Sequence, residues 1–271
     1  MGEPTKPPVG YFGSKVRIAP KIVATFPEHR HYVEPFAGSL AVLLAKPRSY
    51  METVNDLDGD LMTFWRVLRD QPDELIRVCT LTVHAREELK LARSGEPCGD
   101  IERARRVWVM LTQSHTGSLL GTGWRNHVSP KATNQTMPDR VASFVSRLPA
   151  AAERLRRVTL ECRPALDLIS RYGSTPGVML YVDPPYLGST RPTVGYRHEM
   201  RDETEHRELA SALGTCTVPV VLSGYDSPLY RDLYQGWQVQ TLSAFTGKNG
   251  ANGQRTEVLW SNDAAVQERA A

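Results

Sequence analysis

The feature that most constrains this chain is an unbroken apolar run, Val178-Met179-Leu180-Tyr181-Val182, that stops against Asp183-Pro184-Pro185-Tyr186. Such a run reads as a strand buried on both faces, and strands of that kind belong to parallel sheets covered by helices. Two successive prolines then end the ladder, because neither can donate a backbone hydrogen bond and each fixes its own φ. A carboxylate, a rigidly held carbonyl and an aromatic ring are thus presented together at a strand's carboxyl end, where open α/β sheets bind ligands. Taken alone, the tetrapeptide fits a plain turn capped by Asp183 equally well.

The rest of the chain repeats the alternation. Further strands are expected at His31 to Glu34, Tyr50 to Val54, Val158 to Glu161, Val218 to Ser223, Val239 to Leu242 and Glu257 to Trp260. Helices are expected at Ser39 to Ala45, Ala165 to Arg171, Thr204 to Leu213 and Pro228 to Tyr234, and Leu57, Leu61, Phe64, Trp65 and Leu68 follow helical spacing. Strands alternating with helices predict an α/β fold, a largely parallel sheet with helices on both faces.

Residues 71–157 break the pattern. They read as mostly helical, with Asp100 placed to cap a helix carrying Ile101, Ala104, Val107, Trp108 and Leu111. The stretch Gly117 to Pro138 is rich in Gly, Ser, Thr and Asn, and loops of that length inside a domain are usually functional or disordered. The segment holds 14 Lys and Arg against 9 Asp and Glu, so the basic excess is local in a chain of net charge +3. The expected organisation is one catalytic domain, residues 1–70 and 158–271, interrupted by a basic helical insertion at 71–157.

Several classes are excluded on this reading. No apolar run approaches the length needed to cross a bilayer. The proline-rich opening, Met1 to Val9, lacks the pattern of a signal peptide, so a cytoplasmic protein is expected. Cys79, Cys98, Cys162 and Cys216 form no CxxC pair and no His cluster accompanies them, so neither a metal site nor a disulfide framework is expected.

Three further motifs carry chemistry. Glu34-Pro35-Phe36-Ala37-Gly38-Ser39 follows a strand, and Gly38 lets a ligand approach the backbone before a helix start. It is not GxGxxG, so the dinucleotide fingerprint is absent. Asn55-Asp56 ends the next strand, 18 residues beyond Gly38, where an acid can reach ribose hydroxyls; alone, Asp56 reads as a helix cap. Tyr11-Phe12-Gly13-Ser14-Lys15 is an aromatic-Gly-Ser-Lys loop whose Lys15 could neutralise a carboxylate.

In order and spacing, from Tyr11 to about Asn262, these four motifs resemble the Dam-type family of DNA adenine-N6 methyltransferases, with cofactor motifs first, a target-recognition insertion next and the catalytic motif last. The resemblance implies a Rossmann-like sheet that uses S-adenosylmethionine. It implies that Tyr11, Phe12, Gly13, Ser14 and Lys15 hold the cofactor, and that Glu34, Pro35, Phe36, Gly38 and Ser39 wrap its methionine end. Asp56 would bind the ribose. Asp183, Pro184, Pro185 and Tyr186 would be catalytic, with Asp183 also beside the cofactor. Val221 to Asp226 and Arg255 to Trp260 look like further core strands. Two departures stand out: Cys162-Arg163-Pro164-Ala165 lies where relatives often carry an acid for the adenine ring, and the turn has one glycine where many have two.

The residues suit that reaction. Adenine N6 is a poor nucleophile because its lone pair is delocalised into the ring. Acceptors on two sides, the Asp183 carboxylate and the Pro184 carbonyl, can hold its N–H groups and free the lone pair, while Tyr186 offers a face for the base. The base must first leave the duplex, at roughly a few kcal/mol. The expected partner is double-stranded DNA, met by a chain acting as a monomer without metal. Trp124, Arg125, Asn126 and Lys131 are the expected DNA contacts, since Arg suits guanine edges, Asn suits adenine edges and other cations meet phosphate. Arg103, Arg105 and Arg106 could contribute, with a solvated helix face as the plainer reading. The alternatives are the same chemistry on cytosine N4, RNA adenine or a protein glutamine, and a catalytically silent DNA-binding relative. Asp at 183 speaks against two of these; the resemblance implies Ser there in cytosine-N4 enzymes and Asn in RNA and glutamine enzymes.

Overall fold

In the computed structural model, residues 4–127, 129, 135–190, 193–245 and 254–265 are described. Among them β1 (His31–Glu34), β2 (Met51–Asn55), β3 (Thr159–Glu161), β4 (Val178–Val182), β5 (Val220–Gly224), β6 (Gln238–Phe245) and β7 (Gln254–Ser261) form one sheet. Its order is β3-β2-β1-β4-β5-β7-β6. The first five strands run parallel, and β7 enters antiparallel between β5 and β6.

The side-chain period of two sorts each central strand between two cores. Tyr32, Val54, Met179, Tyr181, Val221 and Leu259 point to one face. Val33, Val178, Leu180, Val182, Val220, Leu222, Val258 and Trp260 point to the other. That is why the Val178–Val182 run carries no polar residue: both of its faces are covered.

The first face is covered by α1 (Ala19–Val23), α2 (Ala41–Ala45) and α3 (Gly59–Asp70). Onto these pack α4 (Pro72–Leu81), α5 (Arg86–Ala92), α6 (Asp100–Gln113), α7 (Met137–Val145) and α8 (Leu148–Leu155). Leu75, Trp108, Phe144, Leu148 and Leu155 from this helical segment join the same apolar cluster as Phe64 and Trp65 of α3. The opposite face is covered by α9 (Ala165–Tyr172), α10 (Glu203–Gly214) and α11 (Pro228–Leu233), through Leu168, Leu209, Leu213 and Tyr230.

Two boundaries differ from the sequence expectation in a way that shapes the site. The helix after β1 begins at Ala41 rather than Ser39, because Leu40 adopts φ 56° in the left-handed region. That conformation costs roughly 1–2 kcal/mol for an L-residue. Leu40 is fully buried, which contributes roughly 1.5–3 kcal/mol and holds it there. The cap of α3 is Asp58, whose Oδ1 accepts from the N–H groups of Asp60 and Leu61 at 3.0 and 3.1 Å. Asp56 is thereby left for other contacts.

Candidate active site

The chain leaves β1 toward β2 and leaves β4 toward β5, in opposite directions along the sheet. A crevice forms at such a reversal, outside the strands' carboxyl ends. Here it is a cavity of about 260 Å³. Tyr11 to Lys15, Glu34 to Ser39, Asp56, Asp183 and Pro185 all line it, although they come from four separate parts of the sequence.

The loops are fastened to each other and to the strand ends. Ser14 Oγ and Ser39 Oγ lie 2.7 Å apart, tying the first loop to the second. The buried Asn55 side chain joins three strand ends: its Nδ2 donates to the Pro35 and Arg163 carbonyls at 2.9 and 3.0 Å, and its Oδ1 accepts from Arg163 N at 2.9 Å. Gly38 has φ +47° and donates its N–H to Asp56 Oδ2 at 2.9 Å. A Cβ there would stand 3.0 Å from the Tyr11 ring, so both backbone conformation and space require glycine.

The lining is rich in acid. Besides Glu34, Asp56 and Asp183 it includes Asp58, Glu199, Glu205 and Glu208, against Lys15, Arg197 and His198. Arg197 is already paired with Asp60 at 2.6 Å and Asp58 at 3.5 Å. Burial pushes the Asp56 carboxyl up to about 6, although the N–H groups of Asp58 and Gly38 pull it back. Burial likewise raises Glu34 to about 8, opposed by the hydrogen bond that Tyr32 donates at 2.8 Å. Apart from Glu34, whose charge burial suppresses, these acids favour a ligand carrying positive charge.

At the β4 end, Lys15 Nζ sits 2.9 Å from Asp183 Oδ1 and 3.7 Å from Glu257 Oε1. Burial works against the ammonium charge, yet Asp183 and Glu257 outweigh it and hold the Lys15 pKa above the ordinary lysine value. The Tyr186 hydroxyl donates to Glu257 Oε1 and stands 3.2 Å from Asp183 Oδ1. The Pro184 carbonyl accepts no hydrogen bond among the described residues.

With that geometry in view, the family match is decisive. Residues 11–246 match the D12 class N6 adenine-specific DNA methyltransferase family. The chain belongs to that family. It is 26% identical to a type II methyltransferase of Lactococcus lactis subsp. cremoris, over 95% of each chain. It is 22% identical to a DNA adenine methylase of Salmonella typhi, over 91% of this chain and 90% of that one. Among solved structures, an rRNA methyltransferase from Streptomyces viridochromogenes aligns at 14% identity with a TM-score of 0.42, covering 96% of this chain and 90% of the other.

For this methyltransferase, the expected site residues divide into three groups. The cofactor-loop residues and Asp183 share the cavity. Pro184 and Tyr186 adjoin it without lining it. The Tyr186 ring is only 7% exposed, with Lys15 Nζ 4.8 Å above it and Tyr225 edge-on at 4.4 Å. Lys15 and Tyr225 thus cover the ring that the sequence reading offered to the base.

The third group lies in the helical segment, away from the cavity. Trp124 stacks on His84 at 4.5 Å and takes the Arg86 guanidinium on its ring at 4.8 Å. Arg125 is half-buried; its N–H donates to the Gln113 carbonyl at 2.8 Å, and its carbonyl bonds His84 Nε2 at 3.0 Å. Asn126 is exposed, and Lys131 lies outside the described residues. Arg103 pairs with Asp60, Arg105 with Glu88 and Glu102, and Arg106 with Glu102, so all three are engaged within the protein.

Sequence reasoning missed two parts of the site. The segment from Tyr196 to Met200 covers the cavity, with Tyr196 against the rings of Tyr11 and Phe12 at 5.8 and 5.4 Å. Its anchor is Ser118 Oγ, which donates to the Gly195 carbonyl at 2.6 Å. Glu257, buried behind Asp183, was read only as part of a closing strand. An acid inside an apolar β-run, Glu257-Val258-Leu259-Trp260, was the available signal.

Proposed function

We propose that this adenine-specific DNA methyltransferase binds S-adenosylmethionine in the cavity between the β1 and β4 ends and methylates N6 of an adenine rotated out of duplex DNA. The observation that carries the reading is the shared cavity: Glu34 to Ser39 and Asp183 line the same space. The residues fit that cofactor. Gly38 lets the backbone turn close beneath the Tyr11 ring at the cavity wall, acids surround a space suited to a cationic ligand, and Phe36, Leu57 and Leu166 give it apolar walls. When bound, S-adenosylmethionine supplies a methyl group on positively charged sulfur.

In this reading Asp56 meets the ribose and Glu34 to Ser39 hold the methionine end. Pro164, Ala165 and Leu166 line the cavity where relatives often carry an acid, so the adenine ring of the cofactor meets apolar surface. Asp183 and the Pro184 carbonyl accept the two N–H groups of the target amine. Both close Asp183 contacts fall on Oδ1, so Oδ2 is the oxygen available to substrate. Residues 71–157 serve as the target-recognition segment, with Arg125 and Asn126 at the DNA. A single chain suffices, because both halves of its sequence build the cavity.

The test is methyl transfer from tritiated S-adenosylmethionine to unmethylated duplex DNA. Wild-type protein should label adenine N6, and Asp183→Ala should lower the rate by about a thousandfold or more through lost positioning and charge stabilisation. Firm DNA binding with no transfer by the wild type would instead support a silent DNA-binding relative.

A further inference from the structure

A second carboxylate stands behind Asp183 and has no part in the chemistry so far described. Glu257 is 5% exposed and projects from β7 toward the catalytic motif. Its Oε1 accepts from Tyr186 and from Ser223 Oγ at 2.8 Å, and lies 3.7 Å from Lys15 Nζ. The buried Tyr181 hydroxyl faces the same cluster from β4, while the β6 neighbour in register, Leu242, brings no charge. Among the described residues, the ionisable groups around Glu257 are therefore Lys15, Asp183, Tyr181 and Tyr186.

We infer that Glu257 is the positioning residue that stores the proton released by methyl transfer, received from Asp183 through the Tyr186 hydroxyl. The inference rests on the reading above. When the nitrogen lone pair forms the new carbon–nitrogen bond, the electrons of the broken carbon–sulfur bond remain on sulfur. The nitrogen then carries one proton too many. One of its two N–H bonds breaks: the bonding electrons stay on nitrogen and the proton passes to the Asp183 carboxylate. Taken up on Oδ2, the proton comes within reach of Tyr186 when the carboxyl group rotates, because the Oδ1 position lies 3.2 Å from the Tyr186 oxygen, and the Tyr186 hydroxyl already points at Glu257. One proton in from Asp183 and one out to Glu257 leaves tyrosine unchanged.

Charge explains why a store is needed and why this one works. Lys15, Asp183 and Glu257 together carry one net negative charge, which the single released proton neutralises. Burial raises the Glu257 pKa, and the neighbouring Asp183 charge raises it further, against the pull of Lys15. The proton is therefore held within the cluster instead of returning to the product amine.

The full-length protein tests this with tritiated S-adenosylmethionine and unmethylated duplex DNA under single-turnover conditions across pH. The wild-type rate should rise with pH as the Glu257 cluster loses its proton. In Glu257→Gln the rate should fall about tenfold and that rising limb should vanish, with KM for both substrates within about twofold. Tyr186→Phe, which keeps the ring, should share the altered profile, and the double variant should be no slower. Independently, infrared titration of the protein alone should show a protonated-carboxyl band, titrating above the ordinary glutamate range, that Glu257→Gln removes. An unchanged pH profile in either single variant, or an unchanged band, overturns the inference while leaving methyl transfer intact. Absence of transfer by the wild type would sink the functional reading itself.

Discussion

The cavity at the β1 and β4 ends and the loop around Trp124 both gather aromatic and charged residues that look functional in sequence. They differ in where those residues find partners. In the cavity, parallel topology brings strand ends from three sequence regions together, and the groups they carry face a shared space. Around Trp124 the groups engage one another: His84 and Arg86 stack on the ring, and the Arg125 backbone bonds to Gln113 and His84. A cluster assembled by topology keeps its chemistry available, whereas a locally dense cluster largely serves its own loop.

Cofactor affinity gives the largest effect that sharpens this contrast. Asp56 holds the Gly38 N–H and the Asp58 N–H, so its loss loosens the cavity wall as well as removing the proposed ribose contact. Asp56→Ala should weaken S-adenosylmethionine binding by about tenfold to a hundredfold, the scale of a charge-assisted hydrogen bond. Calorimetric titration measures this, and an unchanged dissociation constant would show that Asp56 lies outside the cofactor contact.

Around Trp124 the expected effects are of another kind. Trp124→Ala should cost about 2 kcal/mol of stability by removing a stacked, cation-bearing ring, while single-turnover methyl transfer at a folded temperature stays near wild type. Arg125 is the exception within this region, because it forms no ion pair among the described residues. Arg125→Ala should weaken DNA binding several-fold and reduce its salt dependence by about one phosphate contact, or relax sequence preference. Unchanged kinetics on every DNA tested would remove Arg125 from the interface, and the comparison between the two regions would become absolute.

The same contrast explains what could be read from sequence. Val178–Val182 was legible because burial on both faces leaves no alternation to misread. Asp183 to Tyr186, Gly38 and Asp56 were legible because strand ends in this topology must converge. Glu257 was not, because its partner Tyr186 is 71 residues away and only the antiparallel insertion of β7 beside β5 brings them together. The Arg103 to Arg106 run was legible in part: Glu102, one turn away on the same helix, pairs with Arg105 and Arg106, whereas Asp60 and Glu88, which pair with Arg103 and Arg105, belong to other helices. The start of α2 was misplaced because tertiary packing of Leu40 overrode local preference.

The smallest expected effect concerns a cavity residue whose charge the fold suppresses. Glu34 is buried, and its carboxyl is raised from 4.5 to about 8. The folded state therefore holds a proton there that the unfolded chain releases at lower pH. Stability from the neutral form is fully present below the unfolded value and is lost as pH rises through the folded value. The melting temperature of the wild type should decline across that window. Glu34→Gln keeps an acceptor for the Tyr32 hydroxyl and carries no charge, so its melting temperature should decline less. A residual slope should persist below the Asp56 value of about 6, because that carboxyl is raised in the same direction. Parallel melting curves for the two proteins from acid to alkaline pH would mean that Glu34 is ionised within the fold, and would give the cavity one more negative charge for the proposed cationic ligand.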